Sequence, residues 1–325
     1  MEAKVREVGP GIFMVHLPLP IRPTIVNVYL VRGGDEWALI DTGVNSPDSI
    51  VTFKEALGTV GCAPEQIRKI ISTHHHPDHY GASKAFKELT TAEVSLHREE
   101  YARTFTFAPI IRPEGVMDYF IANGLPVDRW AHIPSPHEFW SSLYVTIEPD
   151  VYINDGDVIS FGDREIEVVW TPGHSPGHCV MYLRRERVMI AGDHLLPKIT
   201  PHVGYYGANV PNPLGDFLDS QRKIQRLEVD FVLPAHGGVF RDHRYRANQI
   251  IQHHYARCQA MLDFIRRRPH TAYDIARDAF EFDLDSPIFV QFPATFETLA
   301  HLEYLRLDGK AVKEEQGGRV LYRAA

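Results

Sequence analysis

The chain has 325 residues, 44% of them hydrophobic, enough to bury one large core with a smaller unit attached. A net charge of −8 argues against a polyanionic partner such as bulk nucleic acid, whose phosphates demand a basic surface. Three scattered cysteines (Cys62, Cys179 and Cys258) argue against a disulfide framework, and no apolar run has the length of a membrane span or the form of a signal peptide, so a cytoplasmic enzyme is expected.

In chain order, the first strands read Ile12 to Leu17, Ile25 to Val31 and Glu36 to Ile40. The last runs into Ala38-Leu39-Ile40-Asp41-Thr42-Gly43, where Asp41 stands ahead of a turn glycine. Ile50, Phe53, Ala56, Leu57 and Val60 fall at helical spacing, which predicts a helix from Pro47 to Thr59. An apolar strand, Ile67 to Ser72, then delivers the run Thr73-His74-His75-His76-Pro77-Asp78-His79-Tyr80-Gly81. Extended residues two apart share a face, so His74 and His76 project together and His75 points the other way, into packing or support. Asp78 and His79 follow on the turn, ahead of a helix expected from Gly81 to Leu89. Imidazoles and carboxylates converging on one loop suit divalent zinc, manganese or iron, which take nitrogen and oxygen donors.

A strand from Glu93 to His97 comes next, then two helices, Arg98 to Phe107 and Glu114 to Asn123. A Pro-rich aromatic stretch with Trp130, Pro134, Pro136, Phe139, Trp140 and Tyr144 follows. Three more segments place a ligand-type side chain at a strand exit, where loops carry function on a rigid scaffold. They are Thr171-Pro172-Gly173-His174 after Ile166 to Trp170, Ala191-Gly192-Asp193-His194 after Val188 to Ile190, and Leu233-Pro234-Ala235-His236-Gly237 after Asp230 to Leu233. His178 and His194 adjoin these positions and read as structural. Helix Asp216 to Leu227 is amphipathic. Beyond it, Ala247, Ile250, Ile251, His254, Cys258, Met261, Leu262 and Ile265 form one apolar helical stripe, with His254 a core histidine. Thr271 caps a short helix through Phe280, a third helix runs from Thr295 to Leu307, and Gly317-Gly318 turns a hairpin within Gly309 to Arg323.

On these motifs the chain resembles the metallo-β-lactamase superfamily, in particular its dinuclear hydrolase branch typified by glyoxalase II. The resemblance covers roughly the first three quarters of the chain. It implies an α/β fold, a four-layer αββα sandwich, over residues 1–240, with a helical aromatic insertion at 98–150 and a small winged-helix-like unit at 241–325. Carried over by motif, His74, His76 and His174 resemble the ligands of metal site one. Asp78, His79 and His236 resemble those of site two, and Asp193 the bridging carboxylate. Asp41 resembles the carboxylate that orients a ligand imidazole from behind. Lactamases of one major branch carry Cys where Asp193 stands, and flavodiiron oxidoreductases carry Glu at the position of His76, so neither chemistry is favoured. The insertion lies near the metal in this fold and reads either as a substrate lid or as a packed elaboration or subunit contact.

The resemblance implies two divalent metals per chain, zinc foremost with iron or manganese as alternatives, sharing a hydroxide that attacks a thioester or ester. Asp78 would orient that hydroxide or take up its proton, and Tyr206, in the loop after Asp193, either donates to the oxyanion or only packs. The expected partner is a small acyl substrate, with a homo-oligomer open and no membrane. Two alternatives stay open: a phosphodiesterase or endoribonuclease of the same fold, and a mononuclear iron persulfide dioxygenase. Residues 241–325 carry 13 Lys+Arg against 12 Asp+Glu, and Arg266-Arg267-Arg268 is their sole basic cluster, a weak surface for nucleic acid.

Overall fold

The computed structural model describes residues 4–20, 23–101, 116–126, 143–145, 147–207, 210–286 and 288–325. Two sheets face each other. The first holds seven strands in sequential order: β1 (Val5–Gly9), β2 (Ile12–Pro18), β3 (Ile25–Gly33), β4 (Glu36–Ile40), β5 (Ile67–Ile71), β6 (Glu93–His97) and β7 (Val151–Ile153). Its first four strands pair antiparallel, and β4 to β7 pair parallel. The second sheet contains β8 (Val158–Phe161), β9 (Arg164–Trp170), β10 (Cys179–Leu183), β11 (Val188–Gly192) and β12 (Phe231–Pro234), with only β11 and β12 parallel.

The period-2 alternation of strand side chains builds the layers. Ala38 and Ile40 of β4 join Ile190 of β11 and Leu233 of β12 in a core between the sheets. Trp37 and Leu39 of the same strand face outward onto α1 (Pro47–Val60) and α3 (Ser83–Thr90), through Phe53 and Phe86. On the other side Met189 and Ala191 of β11 pack against α5 (Pro213–Ile224), α6 (His243–Ile265), α7 (Ala272–Ala279) and α8 (Ile288–Leu307). Buried faces on both sides of each sheet explain the near-continuous apolar runs of the inner strands. The result is the αββα sandwich.

Local chemistry sets the element ends. Ser46 caps α1 by accepting from the Ser49 amide, and Gly61 stops the helix at φ 68°. All eight residues of the predicted stripe on α6 are buried. Thr271 and Asp274 form a reciprocal capping box on α7. The closing hairpin, β13 (Ala311–Gln316) and β14 (Arg319–Ala324), turns on Gly317 and Gly318, both at positive φ as a primed turn requires.

Two expectations are corrected. A short helix α2 (Pro77–Tyr80) precedes Gly81, because Pro77 at its first position has the backbone angle a helix start needs and no N–H to satisfy. Helix α8 begins at Ile288, not Thr295, and carries Pro293 inside it. Of the insertion, residues 98–101 are helical, and α4 (Val116–Ala122) sets Phe120 against Phe292 and Phe296 of α8. The aromatic stretch from Trp130 to Trp140 lies outside the described residues.

Candidate metal centre

The ligand-type side chains meet at one edge of the sandwich, where β4, β5, β9, β11 and β12 end. Loop 72–76 brings His74 and His76 together, their Nε2 and Nδ1 atoms 2.9 Å apart. His174, after β9, adds its Nε2 at 3.3 Å from His74 and 3.0 Å from His76. Asp78 and His79 come from α2. His236, after β12, places Nε2 3.3 Å from Asp78 and 3.4 Å from Asp193. Asp193 lies between the groups: its Oδ2 is 3.6 Å from His174 Nε2 and 3.7 Å from His79 Nε2. Among the described residues, His74, His76, His174 and Asp193 form one group able to hold a cation, and Asp78, His79 and His236 another.

Tautomers decide whether these groups fit metals. His174 donates from Nδ1 to the His202 carbonyl at 2.8 Å, and His236 from Nδ1 to the Ile25 carbonyl at 3.1 Å. His79 Nδ1 bonds Asp41 Oδ2 at 2.8 Å. Thr73 gives its hydroxyl proton to Asp41, so its oxygen accepts from His74 Nδ1 at 3.0 Å. Each of these four imidazoles therefore turns Nε2 inward, and His74 and His174, held below the usual histidine range by burial, present it as a bare lone pair. His74 and His174 aim two such lone pairs at each other across 3.3 Å, with His76 Nδ1 within 3.0 Å of both, an arrangement that a cation relieves. His79 Nε2 and Asp193 Oδ1 are buried without a hydrogen-bond partner, as atoms reserved for a metal would be. The residues fit divalent metal.

The electrostatics follow position. Burial, then His79 and the other neighbouring imidazoles, hold His74 well below the usual histidine range. Burial would also lower His79, but Asp78, Asp41 and Asp193 outweigh it and hold it well above. Burial would raise the Asp193 carboxyl, yet His236 and His79 keep it well below the carboxylate range. Two glycines are obligatory beside the ligands. A Cβ on Gly173, at φ 131°, would stand 2.6 Å from the Phe217 amide nitrogen; one on Gly192, at φ 51°, would stand 2.8 Å from His178 Nε2.

His75 points away from the centre, as its alternation implies. It pairs instead with Glu100, which is fully buried and also accepts from the His75 and Gly177 amides. This glutamate ties the loop of His74 to the loop of His174, and its role was not visible in sequence, because its partners stand 25 and 77 residues away. His178 accepts from the Asp193 amide at 3.3 Å and bonds Thr171, a supporting role. Asn27 and Tyr29 of β3 were also missed: their side chains donate to the Pro234 carbonyl and hold the loop of His236. Tyr206 lies half exposed, its hydroxyl 3.0 Å from His202 Nε2.

Residues 21–236 match the family described as the metallo-beta-lactamase superfamily. The chain belongs to that superfamily. Residues 258–325 match a second description, a metallo-beta-lactamase-like C-terminal domain. Within the superfamily, the crystal structure of the family protein TTHA1429 from Thermus thermophilus is 32% identical at a TM-score of 0.84, covering 98% of this chain and 100% of that one. A probable metallo-hydrolase of Bacillus subtilis, YqjP, is 25% identical over 96% of this chain and 97% of its own length. The acyl-coenzyme A thioesterase MBLAC2 of Gallus gallus is 27% identical over 72% of this chain and 80% of its own.

Proposed function

We propose that this metallo-hydrolase holds two divalent metals, zinc foremost, and cleaves a thioester or ester of a small acyl substrate. The observation that carries the reading is Asp193, whose carboxylate faces His174 of one ligand group and His79 and His236 of the other. A hard carboxylate in that position suits a bridge. His74, His76 and His174 would hold the first metal and Asp78, His79 and His236 the second. Bound there, the metals would bring a water to a pKa near neutrality and polarise the substrate carbonyl.

The chain's own residues supply the rest. Asp41 fixes His79, and the carbonyls of His202 and Ile25 fix His174 and His236, so the ligand set is preorganised. Asp78 is less buried than its neighbours and carries a carboxylate able to accept a proton as the acyl group is released. Tyr206, at the exposed rim, offers a hydroxyl to the substrate oxygen. Residues 1–240 form the catalytic unit in this reading, and 241–325 a winged-helix-like unit packed against it. The thioester class draws support from the chicken relative's name, as the chain resembles that protein over most of its length.

Metal analysis of protein purified without chelator, followed by assays on acyl-CoA, glutathione thioester, lactone, phosphodiester and persulfide panels, tests the reading. About two equivalents of metal and thioester turnover that chelation abolishes are expected. One equivalent of iron with persulfide consumption would overturn it.

A further inference from the structure

The segment after Asp193 runs behind the metal centre, and the C-terminal helices fasten it. Arg246 of α6 donates from Nε to the Leu196 carbonyl at 2.7 Å and from Nη2 to the Ile199 carbonyl at 2.8 Å. The Tyr205 amide donates to the Phe296 carbonyl at 3.0 Å, and the Tyr206 ring lies 4.6 Å from the Phe296 ring. Between these anchors His202 turns Nδ1 toward Glu297 Oε2 of α8 at 3.4 Å and Nε2 toward Tyr206. The carbonyl of the same His202 receives the Nδ1 proton of His174 at 2.8 Å.

We propose that Glu297 is a positioning residue for the metal site that contains His174. It acts through His202: gripping the imidazole sets the backbone of residue 202, and that backbone aims the carbonyl which fixes the His174 ring. The C-terminal unit is then part of the active centre's support, not an appendage. At 3.4 Å the contact is a long hydrogen bond. Glu297 is largely buried, where a charged acceptor is weakly screened. Arg257, 3.9 Å from Oε1, is its other charged neighbour and holds the carboxylate from the far side. Partners behind metal ligands commonly change metal affinity by about 10–100-fold, which is the scale available here.

The inference rests on His174 being a metal ligand, as the proposed function has it. Its test is zinc competition against a chromophoric chelator, using the full chain. In Glu297→Ala one zinc dissociation constant should rise about tenfold while the other stays within about threefold. Glu297→Gln, which keeps an acceptor for His202, should remain near wild type. His202→Ala should reproduce the Glu297→Ala shift without disturbing the partly exposed surface, and the double variant should add nothing further. Glu303→Ala removes a buried carboxylate on the same helix that bonds Tyr322, Arg306 and Lys313, and among the described residues no hydrogen bond joins it to His202. It should lower the melting temperature and leave both zinc constants alone. Equal weakening in Glu297→Ala and Glu303→Ala, or unchanged zinc affinity in both Glu297→Ala and His202→Ala, would overturn the proposal. A wild type that binds a single zinc would instead count against the dinuclear reading, and the variants would still report on the site of His174.

Discussion

Among the described residues two histidine clusters lie close enough to hold a cation, and the lone pairs of only one are aimed at it. In the first, His74, His79, His174 and His236 spend their outer nitrogens on Thr73, Asp41 and two carbonyls, so their Nε2 atoms converge. In the second, on α6 and α8, His254, Glu297 and His301 also lie close enough to hold a cation. There His301 donates from Nδ1 to the Glu297 carbonyl at 2.6 Å, which leaves Nε2 to accept from His254 Nδ1 at 3.0 Å. The facing nitrogens share a proton and satisfy each other. Residue type and proximity are the same in the two places, and the direction of the lone pairs separates them.

The largest effect should come from breaking the first cluster at its centre. Asp193→Ala should lower occupancy of both metal sites and cut kcat/KM by more than about a hundredfold, since loss of a mere outer partner already reaches that scale. A variant with normal metal content and near-normal turnover would remove Asp193 from the bridging role.

His75 sharpens the comparison from within the His-rich run. Its direction away from the centre suggests from sequence that its loss is mild, but the structure shows a buried Glu100 that would lose its imidazole partner and keep the His75 and Gly177 amides. His75→Ala should therefore destabilise the fold by about 1–3 kcal/mol in denaturant titrations, while a folded fraction still binds the full metal complement. A loss of metal with unchanged stability would contradict this division.

The smallest effect is a pH dependence in the second cluster. Burial, followed by the neighbouring imidazole, lowers His254 to about 3, and burial lowers His301 to about 4, with Glu297, Arg257 and His253 also acting on them. Unfolded, each would protonate near the ordinary histidine value of about 6.5. The unfolded chain therefore binds more protons across this window. The stability in question is full above about 6.5 and falls as pH drops toward 4. His254→Asn, which keeps a donor for His301 but cannot titrate, should flatten the decline of the thermal midpoint of metal-free protein between pH 6.5 and 4. An unchanged slope would show that the pair carries no such linkage.

The side chains that gather in the two groups could be read in sequence because they follow strand ends inside short runs whose neighbours declare the turn. Pro77 and Gly173 are such neighbours. The layers could be read because Trp37 to Ile40 alternate between two buried faces. What stayed hidden was support from afar. Asn27 grips the loop of His236 across 207 residues, and His202 meets Glu297 across 95. Nothing in local periodicity marks such pairs. The C-terminal helices share one hydrophobic core with β9, β11 and β12, including Val169, Met189 and Val232, so composition alone could not show how closely the tail backs the centre.

The grip of β3 on the last ligand loop also orders events in time. Asn27 and Tyr29 emerge early from the ribosome, but the carbonyls they hold belong to Pro234 and Gly237, more than 200 residues later. Until that loop arrives, the nascent chain presents His74, His76 and His79 without His236. Non-local closure of this kind is slow, because the entropy of a long loop must be overcome before the contact rewards it. Capture of a metal by the full set would accordingly be a late step, and a metal met earlier would find a set that lacks His236.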